Sequence, residues 1–128
     1  MVVELVSVGT ELLLGNIVNT NTQYLAEQCA LLGLSLYHQS VVGDNHDRLA
    51  EVVKTALGRS DVVILTGGLG PTEDDLTKEV CAEVMGYKLV EDPHTREHLE
   101  QFFKNNIYKE IPDNNWKQAM VPEGALIL

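Results

Sequence analysis

A glycine-rich stretch runs directly into a row of acids in the middle of the chain, TGGLGPTEDDLT at residues 66–77. Its three glycines and three acids are Gly67, Gly68, Gly70, Glu73, Asp74 and Asp75. Glycine lets the backbone take positive φ angles and approach a ligand closely. Loops between a strand and a helix commonly bind phosphate through backbone amides. The glycines therefore predict a phosphate-binding loop, in which at least one glycine has a positive φ.

The acids need a separate explanation, because bare carboxylates repel phosphate. Carboxylates can bind phosphate through Mg²⁺, which bridges protein acids and substrate phosphates. They can also accept hydrogen bonds from N–H and O–H groups of a ring or a ribose. We therefore expect Asp75 to face a metal, a ring or a sugar, with Asp44 and Glu11 joining it from the ends of two other strands.

A second interpretation makes the acids part of a helix cap. Thr72 can serve as the N-cap and Asp75 as the acidic partner of a capping box, and acids in a first turn stabilise a helix by about 0.3–1 kcal/mol each. Adjacent Asp74 and Asp75 on a helix would point about 100° apart, so both cannot serve one cap. Capping alone is the less favoured interpretation, and it stays open.

Other motifs are weaker. The glycine loop is not a Walker loop, because no lysine with Ser or Thr follows the glycines, and Glu73 takes the third glycine position of a dinucleotide fingerprint. The run HTREH from His94 to His98 matches the zinc-protease pattern H-x-x-E-H. With no further downstream ligand evident, a solvated helix face explains it better than zinc chemistry.

The elements that must position these residues alternate between strand and helix. Strands are predicted at residues 2–8, 34–42 and 61–66, and helices at 20–32, after an Asn45 cap, and from the acids to a stop at Gly86. Smaller pieces follow: a strand in YKLV, a helix after Asp92-Pro93 with Leu99, Phe102 and Phe103 inward, a loop at 105–112, a short helix around Trp116, and a strand starting in GALIL. This alternation predicts an α/β fold with a mostly parallel sheet.

The site is expected at the carboxyl ends of the strands, where ligands bind in open α/β sheets. If the strand order is 2-1-3, the loops after the first and third strands flank one crevice. We then expect replacement of Gly68 by valine to abolish ligand binding and to leave the fold largely intact, because the loop lies at the surface.

Composition limits the partners. The 128 residues carry a net charge of −10 and no lysine or arginine cluster, which argues against nucleic acid and against an anionic membrane surface. No segment is apolar for long enough to span a bilayer, and the N-terminus resembles a strand more than a signal peptide. Cys29 and Cys81 are expected to be reduced core residues of a cytoplasmic protein.

Three stretches together resemble the N-terminal domain of the CinA (competence/damage-inducible protein) family. They are VSVGTELLLGNIVNTNTQYLAEQCALLGL, VVGDN and TGGLGPTEDDLTKEV. That domain is similar to the molybdopterin-binding domains of MogA, MoaB, MoeA and gephyrin. The resemblance covers nearly the whole chain, and we expect residues 1–128 to form one domain of this type. It implies a three-layer α/β/α fold with a mostly parallel sheet.

The resemblance also implies a site drawn from three places. Asp44 and Asp75 match the acids, with Asp74 beside Asp75. The other matching positions are Thr66, Gly67, Gly68, Gly70, Pro71 and Thr72 in the glycine loop, and Thr10, Glu11, Gly15 and Asn21 near the first loop. In Mog-like relatives this pocket binds a pterin phosphate and handles its adenylylation with magnesium. In CinA-type proteins the domain is associated with metal-dependent hydrolysis of the pyrophosphate in ADP-ribose.

The chain departs from these relatives in three respects. Leu69 stands where Mog-type proteins usually carry threonine, which favours the CinA type. We do not expect the nicotinamide mononucleotide deamidase domain of many CinA proteins within these 128 residues. A further glycine-rich loop of the family would lie beyond Leu128. We therefore expect a domain truncated before its last loop.

Two functions follow as hypotheses. The first is an ADP-ribose pyrophosphatase in which Asp75 and Asp44 are catalytic and hold a divalent metal such as Mg²⁺. The alternative is a non-catalytic module that binds molybdopterin or a nucleotide, or a protein of molybdenum cofactor biosynthesis. In either case the expected partner is a small nucleotide or pterin phosphate, not nucleic acid or membrane, and we expect a homo-oligomer.

Overall fold

The computed structural model describes residues 1–105 and 111–128, and the chain alternates between strands and helices as predicted. In chain order the elements are β1 (Val2–Val8), α1 (Thr10–Leu13), α2 (Thr20–Leu31), β2 (Ser35–Val42), α3 (His46–Arg59), β3 (Val62–Thr66), α4 (Thr77–Met85), β4 (Leu89–Glu91), α5 (Pro93–Lys104), a 3-10 helix (Asp113–Ala119) and β5 (Met120–Pro122). Most of the predicted loop at 105–112 falls outside the described residues.

The main sheet is parallel and has the order β2-β1-β3. β1 lies in the centre, where Val8 pairs with Val42 of β2 and Ser7 pairs with Thr66 of β3. The predicted order 2-1-3 is therefore confirmed. The carboxyl ends of β1 and β3 are neighbours, which places the loops that follow them at one edge of the sheet.

Helices cover both faces of this sheet. The side chains of β1 alternate between the two faces, so each face presents apolar residues to a helix. On one face Val3 and Leu5 pack with Cys29 of α2. On the other face Val6 and Val8 pack against α3 and α4, whose buried members include Leu49, Val53, Ala56 and Val80. The predicted α/β fold with a parallel sheet between helices is confirmed. Cys29 and Cys81 are free thiols, as expected.

One charged side chain lies inside this core. Glu4 of β1 is 0% exposed and accepts hydrogen bonds from Arg59 at 2.6 and 3.0 Å and from the Ser60 hydroxyl at 3.1 Å. The bonds from Arg59 lower the pKa of Glu4, although burial acts in the opposite direction. The end of α3 is thereby fixed to the central strand.

Several helix boundaries follow the predicted local signals. Asn45 caps α3 by accepting the Arg48 amide at 3.1 Å, and Asp92 caps α5 by accepting the Thr95 amide at 2.7 Å. Gly86 ends α4 with a φ of 77°. These signals operate within a few residues, so they can be recognised in the sequence.

Other predicted boundaries are wrong. The segment GALIL does not form a strand, and the last strand is Met120–Pro122, which pairs antiparallel with β4. The first loop contains a one-turn helix, α1, that we did not predict. Phe102 is 57% exposed instead of facing inward, and its ring meets the edge of Phe103.

Candidate active-site crevice

A small cavity of about 140 Å³ opens at the carboxyl ends of β1 and β3. Its walls come from the end of β1, α1, the segment before α2, the first turn of α2 and the end of β3: Val8, Glu11, Leu12, Ile17, Val18, Asn19, Thr20, Asn21, Thr66 and Gly67. Four of the predicted site residues therefore meet around one space, namely Glu11, Asn21, Thr66 and Gly67. This is the crevice that the strand order predicts.

The first two glycines of the loop have positive φ angles, 89° at Gly67 and 63° at Gly68, which confirms that prediction. A Cβ at Gly67 would lie 2.1 Å from the Val8 carbonyl oxygen, and one at Gly68 would lie 2.3 Å from Oγ1 of Thr77. The loop therefore packs tightly against β1 and α4. The expectation that Gly68→Val would leave the fold largely intact is wrong, because the added side chain collides with the protein itself.

Thr77 fixes the glycine loop from the first position of α4. It is 3% exposed, its hydroxyl donates to the Gly67 carbonyl at 2.7 Å, and its amide donates to the Gly68 carbonyl at 3.1 Å. Sequence reasoning gave this residue no role. The sequence signal that could have identified it is its position as the first threonine after the three acids.

The acids lie in a turn before α4, which begins at Thr77 after Leu76. The carboxylate oxygen Oδ2 of Asp75 accepts the Thr72 amide at 3.0 Å and the Thr72 hydroxyl at 2.6 Å. The Asp75 amide donates to the Thr72 carbonyl at 3.2 Å, which closes the turn. The prediction that the helix opens with the acids and that Thr72 is its N-cap is therefore wrong. The chain turns back at Thr77 to bond Gly68, so the helix cannot start earlier.

Asp75 is a stable carboxylate in this turn. The Thr72 hydroxyl lowers the pKa of the Asp75 carboxyl below its ordinary value, and the Thr72 and Gly70 amides and the charge of Lys117 act in the same direction. Asp75 is therefore ionised at neutral pH. The structure favours neither the metal role nor the ring role that we predicted for it.

Asp44 is held at a different position along the same edge of the sheet. Its Oδ2 accepts the Thr10 amide at 3.0 Å, and its own amide donates to the Thr10 hydroxyl at 3.2 Å. These reciprocal bonds join the loop after β2 to the start of α1. Two predicted site residues, Thr10 and Asp44, thus contact each other beside the cavity wall formed by Glu11.

In the part of the chain that the structure describes, protein side chains alone do not form a complete metal site. There, no three or more His, Cys, Asp or Glu side chains are arranged to hold an ion. Mg²⁺ usually takes one or two carboxylates and fills its remaining positions with water and substrate phosphate. Asp44 and Asp75 supply carboxylates of this kind, so the donor chemistry fits Mg²⁺ when a phosphate ligand is present.

The remaining predicted residues lie around the glycine loop and the first loop. Gly15 has a φ of 72° in the turn after α1, and Asp74 is exposed. Pro71 and Thr72 line a second cavity of about 390 Å³, on the side of the loop that faces the 3-10 helix. The His94 and His98 side chains line a pocket of about 250 Å³ on α5.

A buried polar network behind the crevice was missed by sequence reasoning. Ser7 of β1 is 1% exposed, and its hydroxyl lies 2.7 Å from the Thr22 hydroxyl and accepts the Asn19 side-chain amide at 2.9 Å. Asn19 also caps α2 by accepting the Thr22 amide at 3.3 Å. The network fixes the first turn of α2 against the central strand, so Asn21 is held at the cavity wall.

Among the described helices, none is long and apolar enough to cross a membrane.

Comparison with known proteins gives one consistent result. The family described as "Probable molybdopterin binding domain" matches residues 4–125. A "Putative competence-damage inducible protein" of Clostridium acetobutylicum is 53% identical over 128 residues, which are 100% of this chain and 31% of that protein. A protein of the same name from Symbiobacterium thermophilum is 56% identical over 128 residues, or 30% of its length. The chain spans about a third of the length of these curated relatives.

Solved structures agree with this assignment. The crystal structure of CinA from Thermoplasma acidophilum, a protein described as having unknown function, superposes with a TM-score of 0.82 at 31% identity and covers 95% of this chain and 70% of that one. The molybdopterin biosynthesis enzyme MoaB from Thermus thermophilus gives a TM-score of 0.62 at 17% identity, covering 94% of this chain and 78% of that one. The second likeness concerns the fold alone.

Proposed function

Because the chain belongs to the family of probable molybdopterin binding domains, we propose that it binds a phosphorylated pterin or nucleotide in the crevice between β1 and β3. The observation that carries this proposal is the meeting of Glu11, Asn21, Thr66 and Gly67 around one cavity. The cavity volume of about 140 Å³ suits one phosphoryl group or part of a ring. The rest of the ligand then extends out of the crevice, because pockets for whole drug-sized ligands are about 300–1,000 Å³.

The chemistry of the cavity wall supports a ligand with both anionic and N–H groups. The Thr66 hydroxyl and the Asn21 amide can donate hydrogen bonds to phosphate oxygens. The first turn of α2 also borders the cavity, and the N-terminus of a helix favours anions. Glu11 can accept hydrogen bonds from the ring or the ribose, which answers why a carboxylate belongs in an anion-binding crevice.

We further propose that the domain hydrolyses the pyrophosphate of an ADP-ribose-like ligand with Mg²⁺ held by Asp75 and Asp44. The observation that supports this second function is that both acids lie in loops at the same edge of the sheet, where Thr10 and Thr72 hold their carboxylates. When bound, Mg²⁺ supplies Lewis-acid polarisation and a more acidic water. The protein's own contribution is to orient the two carboxylates through Thr72 and Thr10.

Titration combined with turnover tests both functions. The purified protein is titrated calorimetrically with ADP-ribose, AMP and a molybdopterin analogue, with and without Mg²⁺, and release of AMP and ribose 5-phosphate is measured. Glu11→Gln and Asn21→Ala should weaken binding, whereas Gln39→Ala, on the exposed edge strand β2, serves as the matched control. Binding without turnover supports the module alone, and the absence of binding for every compound rejects both functions.

We also propose that the protein forms a homo-oligomer. Large apolar side chains are exposed on α2 and just after it, Leu31 at 79% and Leu32 at 74%, and contiguous apolar surface commonly marks an interface. Light scattering coupled to size-exclusion chromatography measures the molar mass directly, and a monomer at high protein concentration contradicts the proposal.

A further inference from the structure

Two lysines connect the 3-10 helix with the segment around the start of α4. One of them binds the turn at residues 72–75, which we call the acidic turn. The Lys117 ammonium, from the 3-10 helix, donates to the Thr72 carbonyl at 2.7 Å and also to the Asp75 carbonyl. The Lys78 ammonium, from α4, donates to the carbonyls of Lys117 and Gln118 at 3.0 Å each. We call this reciprocal pair the lysine clasp. Lys78 thus binds the backbone of the helix that carries Lys117. Lys117 binds the backbone of the turn that precedes α4, the helix that carries Lys78.

The clasp is partly buried. The Lys117 side chain is 23% exposed, and its ammonium lies 3.5 Å from Oε1 of Glu79. Burial lowers the pKa of Lys78. Carbonyl oxygens are the acceptors that replace water for both ammonium groups, and a hydrogen bond to a charged group is stronger than a neutral one. Both lysines therefore bind backbone carbonyls, and Lys117 also pairs with the Glu79 carboxylate.

The two carbonyls that Lys117 binds belong to the residues that define the acidic turn. Thr72 and Asp75 are the same pair whose side chains bond to each other. Lys117 thus holds the backbone of the turn while the Thr72 hydroxyl holds its carboxylate. The contact spans 45 residues between Thr72 and Lys117, so the turn is fixed by a distant part of the chain.

We propose that Lys117 is a positioning residue for the site: by binding the Thr72 and Asp75 carbonyls, it holds the acidic turn in the shape that presents Asp75 to the ligand. The second half of this statement rests on the proposed function. The first half concerns the loop alone and can be tested separately. Lys78 supports Lys117 by fixing the 3-10 helix backbone, so its loss should have a weaker effect in the same direction.

The test compares Lys117→Met with Lys117→Arg, which keeps the charge and can reach the same carbonyls. Amide hydrogen exchange at Asp75 and Thr77 reports the turn, and calorimetry with ADP-ribose and Mg²⁺ reports the ligand. Lys117→Met should speed exchange and weaken ADP-ribose binding, each by about tenfold or more, because hydrogen bonds from a charged donor are lost. Lys117→Arg should restore both to within about threefold.

A core variant provides the matched control for general destabilisation. Val53→Ala shortens a buried side chain of α3 that is 2% exposed, so it should lower Tm without changing exchange at the turn or ADP-ribose affinity. Equal losses in Val53→Ala and Lys117→Met, or no loss in Lys117→Met, overturn the positioning role. If wild-type protein does not bind ADP-ribose, the proposed function fails. Amide hydrogen exchange in Lys117→Met and Lys117→Arg still decides whether the clasp holds the turn.

Discussion

The Thr72 hydroxyl donates a 2.6 Å hydrogen bond to Oδ2 of Asp75, and the Thr72 amide reaches the same oxygen at 3.0 Å. Thr72 therefore satisfies one oxygen of the carboxylate and lowers the pKa of Asp75. The contact answers only part of the question that the acids raise. A turn that needs an acceptor at this position could use asparagine equally well, whereas a metal site needs the negative charge.

Asp75→Asn separates these two roles. The amide oxygen can still accept from Thr72, so the turn should persist. Tm should fall only modestly, because the ionised carboxylate, whose pKa is lowered in the fold, also stabilises the folded state at neutral pH. Binding of ADP-ribose should weaken by about tenfold or more with Mg²⁺ and by about threefold or less without it, since interactions with a charged group contribute about 1.5–3 kcal/mol. Calorimetry in both conditions measures this, with exposed Asp74→Asn as the control. A lower Tm with unchanged affinity would show that Asp75 only stabilises the turn.

Gly67→Ala should destabilise the protein by more than about 2 kcal/mol. Its φ of 89° is strained for alanine, and the added Cβ would lie 2.1 Å from the Val8 carbonyl oxygen. Gly58→Ala is the matched control, because that glycine lies in α3 with nothing within 4 Å of its Cβ position. There alanine should stabilise by about 0.5–1 kcal/mol. Urea denaturation measures both, and equal effects would contradict the packing argument.

Local signals explain why much of this fold could be predicted from sequence. Strand alternation, the caps Asn45 and Asp92 and the stop at Gly86 each depend on neighbouring residues. The topology then placed the crevice, because parallel strands bring their carboxyl ends to one edge. Four candidate residues met there for that reason, without any knowledge of side-chain contacts.

The remaining features depend on partners that are distant in sequence. Thr72 and Asp75 match a capping box, but the amide of Thr77 bonds to Gly68 and delays the helix. Lys117 shows no local pattern, since its acceptor Thr72 lies 45 residues away. Ser7 is a polar residue in the mostly apolar strand β1, and only the three-dimensional packing of α2 gives it a role. Sequence therefore predicted residues that line the crevice better than it predicted the residues that support them.

Stability should depend on pH through a link between α3 and α4. His46 lies 3.0 Å from an Asp47 oxygen and 2.6 Å from an oxygen of Glu83. The hydrogen bond to Asp47 is the largest cause that raises the pKa of His46 above its ordinary value of 6.5, and the hydrogen bond and charge of Glu83 are the next largest. Because the pKa of His46 is higher in the folded state than in the unfolded state, the protonated imidazole stabilises the fold. This stabilisation is fully present at pH values below the unfolded-state pKa, and it is lost as the pH rises through the folded-state pKa.

The matched variant for this link is Glu83→Gln, which removes the charge that reaches across from α4. Urea denaturation at about pH 5.5 and pH 8.5 should show a larger loss of stability at the lower pH, where the wild-type imidazolium is fully paired. His46→Gln should give the same pattern. A loss that is equal at both pH values in Glu83→Gln would mean that the contact is not between charges.

The buried carboxylate of Glu4 provides the last prediction. Arg59→Met leaves Glu4, which is 0% exposed, with the Ser60 hydroxyl as its remaining described partner. Breaking a buried pair costs about 3–5 kcal/mol, and partial exposure of Arg59, 40% for its side chain, should place the loss toward the lower end.

The pH dependence distinguishes this explanation from a simple loss of packing. The lowered pKa of Glu4 means that the wild-type pair stabilises the fold above the unfolded value of 4.5 and that this contribution is lost as the pH falls through the folded value. The difference in unfolding free energy between wild type and Arg59→Met should therefore shrink as the pH falls below about 4.5, toward the lowered folded value. Adding Glu4→Gln to Arg59→Met should recover stability at pH 7, because no buried charge is then left unpaired. If the double variant is no more stable than Arg59→Met at pH 7, the aliphatic part of the arginine side chain, not its charge, fixes α3 to the sheet.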